Sequence, residues 1–459
     1  MIASRSIPPL FALLALAAPT RALAPPQETR PETREAVEEE KKAPEKEKVL
    51  ALRGGDVHTV TAGTLRPGVV LVRGKTIWKV GTDLAIPEDA HVLDVTGLRV
   101  YPGLVAAETV GILGRFGASD SPADSVDPFS LSLQLASAAG ITTAVSGTAV
   151  AKVIPGDLAD LIVREPAFVR LNLGTAQARR ETREKLEKAR EHLRALRRHE
   201  VEKKRDPTLK EPDKKGIDEG MLRLLRKEIP ARVSAGSRSD LLPVADLALA
   251  FGFVAIVDGA HEGWTVAGDL GRAGIRCVVN PRQKVLPDRE TARPSGSTIE
   301  NAAILRRAGV EVAVVPPQRS ISTGGTAGRD YLTFPLDAAF AMRGGLEADA
   351  ALETITIGAA RVLGVDDRVG SIEPGKDADL IVASGDLLDF RTFVEWTIVN
   401  GKVVYDRREA TFFSHLKTRR DLAPPPEPIA EEPPPPAEEE GEGKKEDGGG
   451  EEDGSRSGR

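Results

Sequence analysis

Side chains able to do acid–base or ligand chemistry are few in this chain, and they fall just after predicted strands. Glu108 follows the first strand of a long α/β segment. Asp258, His261 and Glu262 follow the predicted strand Val254–Val257, and Arg329 and Asp330 close a glycine-rich loop, Ser322–Gly328. At the carboxyl ends of parallel strands such groups face a common mouth. There Glu108 would act as general base or as ligand to a single metal, with Asp258 beside it and His261 as acid or ligand; Glu262, Arg329 and Asp330 would bind substrate, Arg329 as an anchor for an anion. The bland alternative for each is a loop residue satisfying local hydrogen bonds.

The histidine inventory limits metal chemistry. Of the six histidines, His58 and His91 fall in β-rich sequence, His192 and His199 in a charged helical stretch that would leave them at the surface, and His415 beyond the last strand. Only His261 lies near a strand-end loop, and one imidazole cannot build a His₃ or His₂-carboxylate zinc site. The glycine-rich loop lacks G-K-[ST], and no G-x-G-x-x-G follows a strand, which removes the usual nucleotide readings. A single cysteine, Cys277, excludes an intrachain disulfide.

Positioning falls to an alternating middle and two β-rich ends. Strand-like runs at Ile141–Val145, Ala167–Leu171, Arg232–Ser234, Val254–Val257, Arg276–Val279 and Val310–Val315 alternate with helical patterns at Leu131–Ala139, Ser239–Phe251, Trp264–Ala273 and Thr298–Arg307, as in a parallel sheet. Before them, Val69–Val72 and Thr76–Val80 are joined through Gly74-Lys75, which suits a type II′ hairpin, and Val92–Val95 adds a strand. After them, Thr397–Val399 and Lys402–Tyr405 flank Asn400-Gly401, the signal of a type I′ hairpin, with Ala378–Val382 preceding. Thr175–Lys204 reads as a long charged helix with Leu186, Ala189, Leu193 and Leu196 at helical spacing, a solvated insertion or a partner-binding arm.

Two stretches carry a family resemblance. Pro102-Gly103-Leu104-Val105-Ala106-Ala107-Glu108-Thr109-Val110 and Gly370-Ser371-Ile372-Glu373-Pro374-Gly375-Lys376-Asp377-Ala378-Asp379-Leu380 resemble the amidohydrolase superfamily, the imidazolonepropionase- and dihydroorotase-like enzymes. There the first reads P-G-L-I-D-x-H-x-H and the second G-S-I-x-P-G-K-D-A-D-L. The resemblance implies a (β/α)₈ TIM-like barrel at residues 100–368, with the charged insertion at 175–227, and a small composite β-sandwich built from 49–99 and 369–410. It also implies hydrolysis of carbon–nitrogen, non-peptide bonds at a metal centre. Here the motif's Asp and two His are Ala106, Glu108 and Val110; the last-strand pattern G-V-x-V-x-x-G-T-D aligns to residues 309–317, with Pro317 at the catalytic Asp. No binuclear metal site is expected, and at most one weakly held divalent ion. Two functions remain open: a hydrolase with an altered or single-metal site, and a non-catalytic barrel that binds a small molecule or a protein partner.

The extremes and the composition bound the rest. Arg5, the apolar run Leu10–Ala18 and Ala22-Leu23-Ala24 read as a secretory signal over residues 1–24, which places the protein in the periplasm or outside the cell. Residues 25–48 have the Pro/Glu/Lys composition of a disordered linker, and residues 421–459 that of an acidic Pro/Glu/Gly-rich tail. That tail holds 13 acidic and 4 basic residues, a net −9, so the chain's −6 leaves +3 for everything before it. With 4% aromatic residues and no basic stripe, nucleic acid is not an expected partner. The apolar run is too short to span a membrane. Homo-oligomerisation is left open.

Overall fold

The computed structural model describes residues 48–114, 121–290, 292–323 and 328–410. The signal segment, the linker but for its last residue, the acidic tail, His415 and residues 324–327 of the glycine-rich loop lie outside the described residues. Alternating apolar residues bring strands from both β-rich parts into one eight-stranded sheet. Its order is Lys402–Asp406, Val394–Val399, Leu380–Ala383, Arg99–Pro102, Val49–His58, Thr64–Arg73, Thr76–Gly81, with His91–Asp94 paired to Val49–His58. The two parts meet in antiparallel register, Leu380 opposite Pro102 and Val382 opposite Val100. Leu52, Val70, Val100, Leu380 and Ile398 share one buried cluster beneath it. Asn400 and Gly401 take φ of 49° and 74°, as a type I′ turn requires, and Gly74 takes 56° at the first central position of its hairpin.

Pro102-Gly103-Leu104 carries the chain out of this sheet. The Gly103 N–H donates to the Asp379 carbonyl at 2.9 Å, Leu104 N–H to Gly140 at 3.0 Å and Val105 N–H to Ile355 at 2.9 Å. A Cβ on Gly103 would stand 2.0 Å from Thr142 Oγ1 and 2.6 Å from Thr142 Cβ, so only glycine allows this approach. Charge pins the same seam. The fully buried Lys152 ammonium lies 2.7 Å from Asp377 and 2.5 Å from Asp379, and the other Asp379 oxygen accepts the Asn400 N–H at 3.0 Å. An unpaired ammonium there would carry a desolvation penalty of several kcal/mol.

Beyond the seam the architecture is mixed α/β. A four-stranded sheet runs Leu104–Ala106, Ile141–Ser146, Ala149–Lys152, Ile162–Arg164. An all-parallel sheet runs Val169–Arg170, Ala231–Ala235, Ala255–Gly259, Arg276–Val279, Glu311–Val314, in chain order. Backbone bonds outside the strands link them: Ala167 N–H to Thr148 at 2.7 Å, and Val314 N–H to Thr354 at 3.1 Å beside the Val105–Ile355 bond. Strand periodicity sorts the side chains. Val105, Val145, Ile256, Val278 and Ala313 share one buried cluster, while Ala106, Ala144, Val257, Cys277, Val312 and Val314 join the helix residues in another.

Three local expectations differ. The helix expected at Trp264–Ala273 is a 3₁₀ turn, Gly263–Thr265, and a short helix, Ala267–Arg272, with Val266 at φ −134° between them; Trp264 Nε1 is drawn to the Gly296 carbonyl at 2.9 Å. The helix expected from Thr298 begins at Asn301, whose amide donates to the Ala260 carbonyl at 2.9 Å. The charged stretch forms one helix, Ala176–Lys203, capped by Thr175, but His192 and His199, expected at the surface, are 8% and 7% exposed. Leu186, Ala189 and His192 follow each other at three-residue steps on the face that packs toward the helix Glu219–Leu225, and the His199 ring bonds the Leu209 carbonyl at 3.1 Å.

Gly103→Ala should therefore lower stability by about 1–3 kcal/mol, the usual range for overpacking a close contact. Gly174→Ala, where the nearest contact to an added Cβ is 3.5 Å, serves as the control. Urea unfolding of the pair measures it; equal midpoints would mean the seam relaxes at no cost.

Candidate functional site

Leu104–Ala106 ends where the chain turns with Ala107 and Glu108, and both carbonyls there are bound. Arg232 Nη2 donates to Ala107 O at 2.9 Å, and the buried Tyr331 hydroxyl donates to Glu108 O. The Glu108 carboxylate pairs through Oε1 with Arg319, while Oε2 is buried and has no hydrogen-bond partner among the described residues. Burial first, and then the charge of Asp258, push the Glu108 carboxyl above its ordinary range, against the pull of Arg319, Arg232 and Arg170.

Asp258 points the same way as Ile256, into the enclosed cluster, and so does Arg232 on the neighbouring strand, whose Cα partner is Ile256. Both Asp258 oxygens accept from this guanidinium, Oδ2 from Nε and Oδ1 from Nη2, each at 2.8 Å. Both side chains are almost wholly buried. The guanidinium also lies 4.8 Å from the Phe168 ring centroid. Arg319 comes from the loop after Glu311–Val314, two residues past Pro317, so this loop brings a cation to Glu108 where the resembling motif places an acid.

The other expected site residues are placed elsewhere or otherwise engaged. His261 is half-buried, its ring filling the space beside Gly236, where a Cβ would lie 2.4 Å from it. Glu262 clamps two backbone amides, Arg238 N–H at 2.8 Å and Gly296 N–H at 2.7 Å. Asp330 caps the turn Tyr331–Thr333, accepting from Leu332 N–H at 3.1 Å and Ser322 N–H at 3.2 Å. Its work is thus to hold Tyr331. Arg329 is exposed, and its carbonyl accepts the Gln318 N–H at 2.9 Å. Of the six expected residues, Glu108 and Asp258 are brought into electrostatic contact.

Arg170 and Arg232 lie within strands and so escape a sequence reading that looks only after them, while Arg319 and Tyr331 lie in the stretch after Glu311–Val314 but are not singled out there. One signal was present for Arg232, a cation inside the run Ala231–Ala235, at a position where a parallel-sheet strand is usually apolar.

The metal implied by the resemblance does not fit these residues. Among the described residues no three His, Cys, Asp or Glu side chains form a ligand group, and the carboxylate facing Glu108 is held by a guanidinium. A divalent ion beside Arg232 would meet like charge in a poorly solvated site. His58 stacks on Tyr101 at 4.4 Å, in the eight-stranded sheet. Cys277 offers no thiolate, since burial pushes its thiol up to about 12. An apolar groove of about 440 Å³, lined among others by Leu336, Leu387, Phe390, Phe393 and Asp330, includes none of Glu108, Asp258 or Arg232.

The model of the amidohydrolase family matches residues 276–405. Adenine deaminase 4 of Rhizobium meliloti (strain 1021) is 43% identical over 63 residues, which is 14% of this chain and 10% of that protein's length. The crystal structure of an amidohydrolase from Thermotoga maritima MSB8 superposes with a TM-score of 0.58 at 25% identity, covering 78% of this chain and 100% of that one.

Two predictions follow from the buried ion pairs. Arg232→Met leaves Asp258 charged and unpaired and should lower stability by about 3–5 kcal/mol, and the double change Arg232→Met/Asp258→Leu should recover most of it. Denaturant unfolding of the three proteins reads this directly; a double variant no better than the single one would refute it. The second concerns Asp337, which pairs with Arg282 at 2.9 Å while Arg282 also reaches the Gly328 carbonyl. Burial outweighs that pairing and pushes the Asp337 carboxyl up to about 7. The folded chain thus holds this proton more tightly than the unfolded chain, so the group's contribution is present in acid and lost as pH rises towards 7. Unfolding free energy should shift against the wild type, relative to Asp337→Asn, between about pH 4 and 7; a constant difference over that range contradicts the assignment.

Proposed function

We propose that the chain, whose residues 276–405 match the model of the amidohydrolase family, is a member in which a buried guanidinium replaces the metal centre, so that the site binds a small molecule without metal-dependent hydrolysis. We read the two α/β sheets as the wall of one (β/α)₈ barrel, capped by the sheet that both β-rich parts build. The backbone links at Val105, Val314 and Ala167, and the sorting of strand side chains into two clusters, support that reading. Within it, Arg232 and Asp258 stand in the barrel's interior below the strand ends.

The observation that carries the functional reading is Arg232. A metal site needs free carboxylate or imidazole lone pairs converging on one point, whereas both Asp258 oxygens and the Ala107 carbonyl here accept from one permanent cation. An arginine is charged at every physiological pH and cannot be displaced as a solvated ion can. The site keeps a positive charge in that place but loses the open coordination position that activates water.

A second reading is metal-independent hydrolysis of a carbon–nitrogen bond, with Glu108 as general base. Its support is the raised Glu108 carboxyl beside an unpartnered oxygen, Oε2, since a base poised nearer neutrality is the usual requirement.

One experiment separates the readings. Dialysed protein is melted with and without added zinc and manganese, then incubated with a panel of cyclic amides and N-acyl amino acids. The binding reading expects no saturable metal effect on Tm and no turnover. Turnover without metal that is lost in Glu108→Gln establishes the second reading. A saturable metal-dependent rise in Tm, lost in Asp258→Asn, overturns both.

A further inference from the structure

Arg170 and Arg232 are direct cross-strand partners in the parallel sheet, Val169 opposite Ala231 and Arg170 opposite Arg232. Like charges in that position repel. Both guanidinia nevertheless lie against the same ring, with Cζ at 5.3 Å and 4.8 Å from the Phe168 centroid. Their charges are not equally neutralised. Arg232 is matched by Asp258 and Arg319 by Glu108, while Arg170 donates to a neutral group, the Gly147 carbonyl, at 2.9 Å. Three guanidinia against two carboxylates leave one positive charge, and it sits at Arg170, which is exposed.

Donors remain as well as charge. Arg232 uses Nε and Nη2, but its Nη1 is buried without a hydrogen-bond partner among the described residues. A buried charged donor left unpaired carries a penalty larger than that of a neutral one. Partial burial first, and then repulsion by Arg232, pull Arg170 below its ordinary range. An anion lying between them would relieve the repulsion and satisfy the free donor with charge-assisted bonds.

We propose that the site recognises a small molecule through one carboxylate, held between the Arg170 and Arg232 guanidinia at the Phe168 ring. This rests on the metal-free binding reading above and names its ligand class. A single negative charge matches the single uncompensated positive one. A planar two-oxygen group suits two guanidinium forks, whereas a tetrahedral dianion would bring a second charge towards Glu108.

The test uses sodium acetate as the carboxylate probe, acetamide as its neutral isostere and inorganic phosphate as the other oxyanion, at constant ionic strength made up with sodium chloride. Tm and calorimetric titration are read on the full chain. Acetate should raise Tm saturably, acetamide and phosphate should not, and Arg170→Met should weaken acetate binding at least tenfold. Arg170→Lys should keep part of it. Arg170 is exposed, so the variant's own melt without ligand should stay near the wild type, and an unchanged melt with lost acetate binding is the supporting outcome. No saturable acetate effect in the wild type, an equal effect of acetamide, a preference for phosphate, or acetate binding that survives Arg170→Met would each overturn the proposal. The metal titration above is unaffected by any of these results, so the ligand class and the metal-free reading fail separately.

Discussion

A guanidinium buried inside a sheet has to be neutralised where it stands, and much of the candidate site follows from that requirement at Arg232. Its forked donors take both oxygens of Asp258 on the next strand and the carbonyl of Ala107 across the site. Asp258 is thereby removed as a free base or ligand. The Ala107 carbonyl is fixed, which sets the direction in which Glu108 leaves its strand. Glu108, left facing Asp258 in a desolvated position, is in turn met by Arg319 from the loop after the last parallel strand.

On the proposed reading, this arrangement trades one kind of cation for another. A metal ion is held by lone pairs, exchanges with solvent and polarises water; a guanidinium arrives covalently attached, donates hydrogen bonds in a plane and activates nothing by coordination. On the proposed reading, the same fold keeps positive charge below the strand ends while its chemistry changes from hydrolysis to recognition. Fold membership and activity are separate conclusions here.

The site is only as well placed as the strand that delivers Glu108. That strand is held at its start by Gly103 in contact with Thr142, by the Gly103–Asp379 backbone bond and by the Lys152 ammonium between Asp377 and Asp379. The run Gly370–Leu380, which carries part of the family resemblance, thus also supplies the counter-ions that lock the eight-stranded sheet to the α/β part. Its two aspartates are structural, and their burial explains why a lysine with no solvent contact is tolerated inside a four-residue strand.

What the amino-acid order determined alone was short-ranged. Asn400-Gly401 specifies its turn because both residues tolerate positive φ, and the alternation of apolar residues marks strands and their buried faces. Pro102-Gly103-Leu104 and Gly370–Leu380 sufficed to indicate the family, and Glu108, Val110 and Pro317 to question its metal. The pairing of charges was decided only by tertiary structure. Asp258 meets Arg232 across 26 positions and Glu108 meets Arg319 across 211; the first depends on the register of neighbouring strands, where a slip of one residue would turn Arg232 to the other face, and the second on loops that leave different sheets. His192 and His199 show the same limit: their charged neighbours suggested solvent, but a helix buries residues by face and not by the company they keep in sequence. Electrostatic partners are chosen by distance in space, and no local pattern in a chain carries that distance.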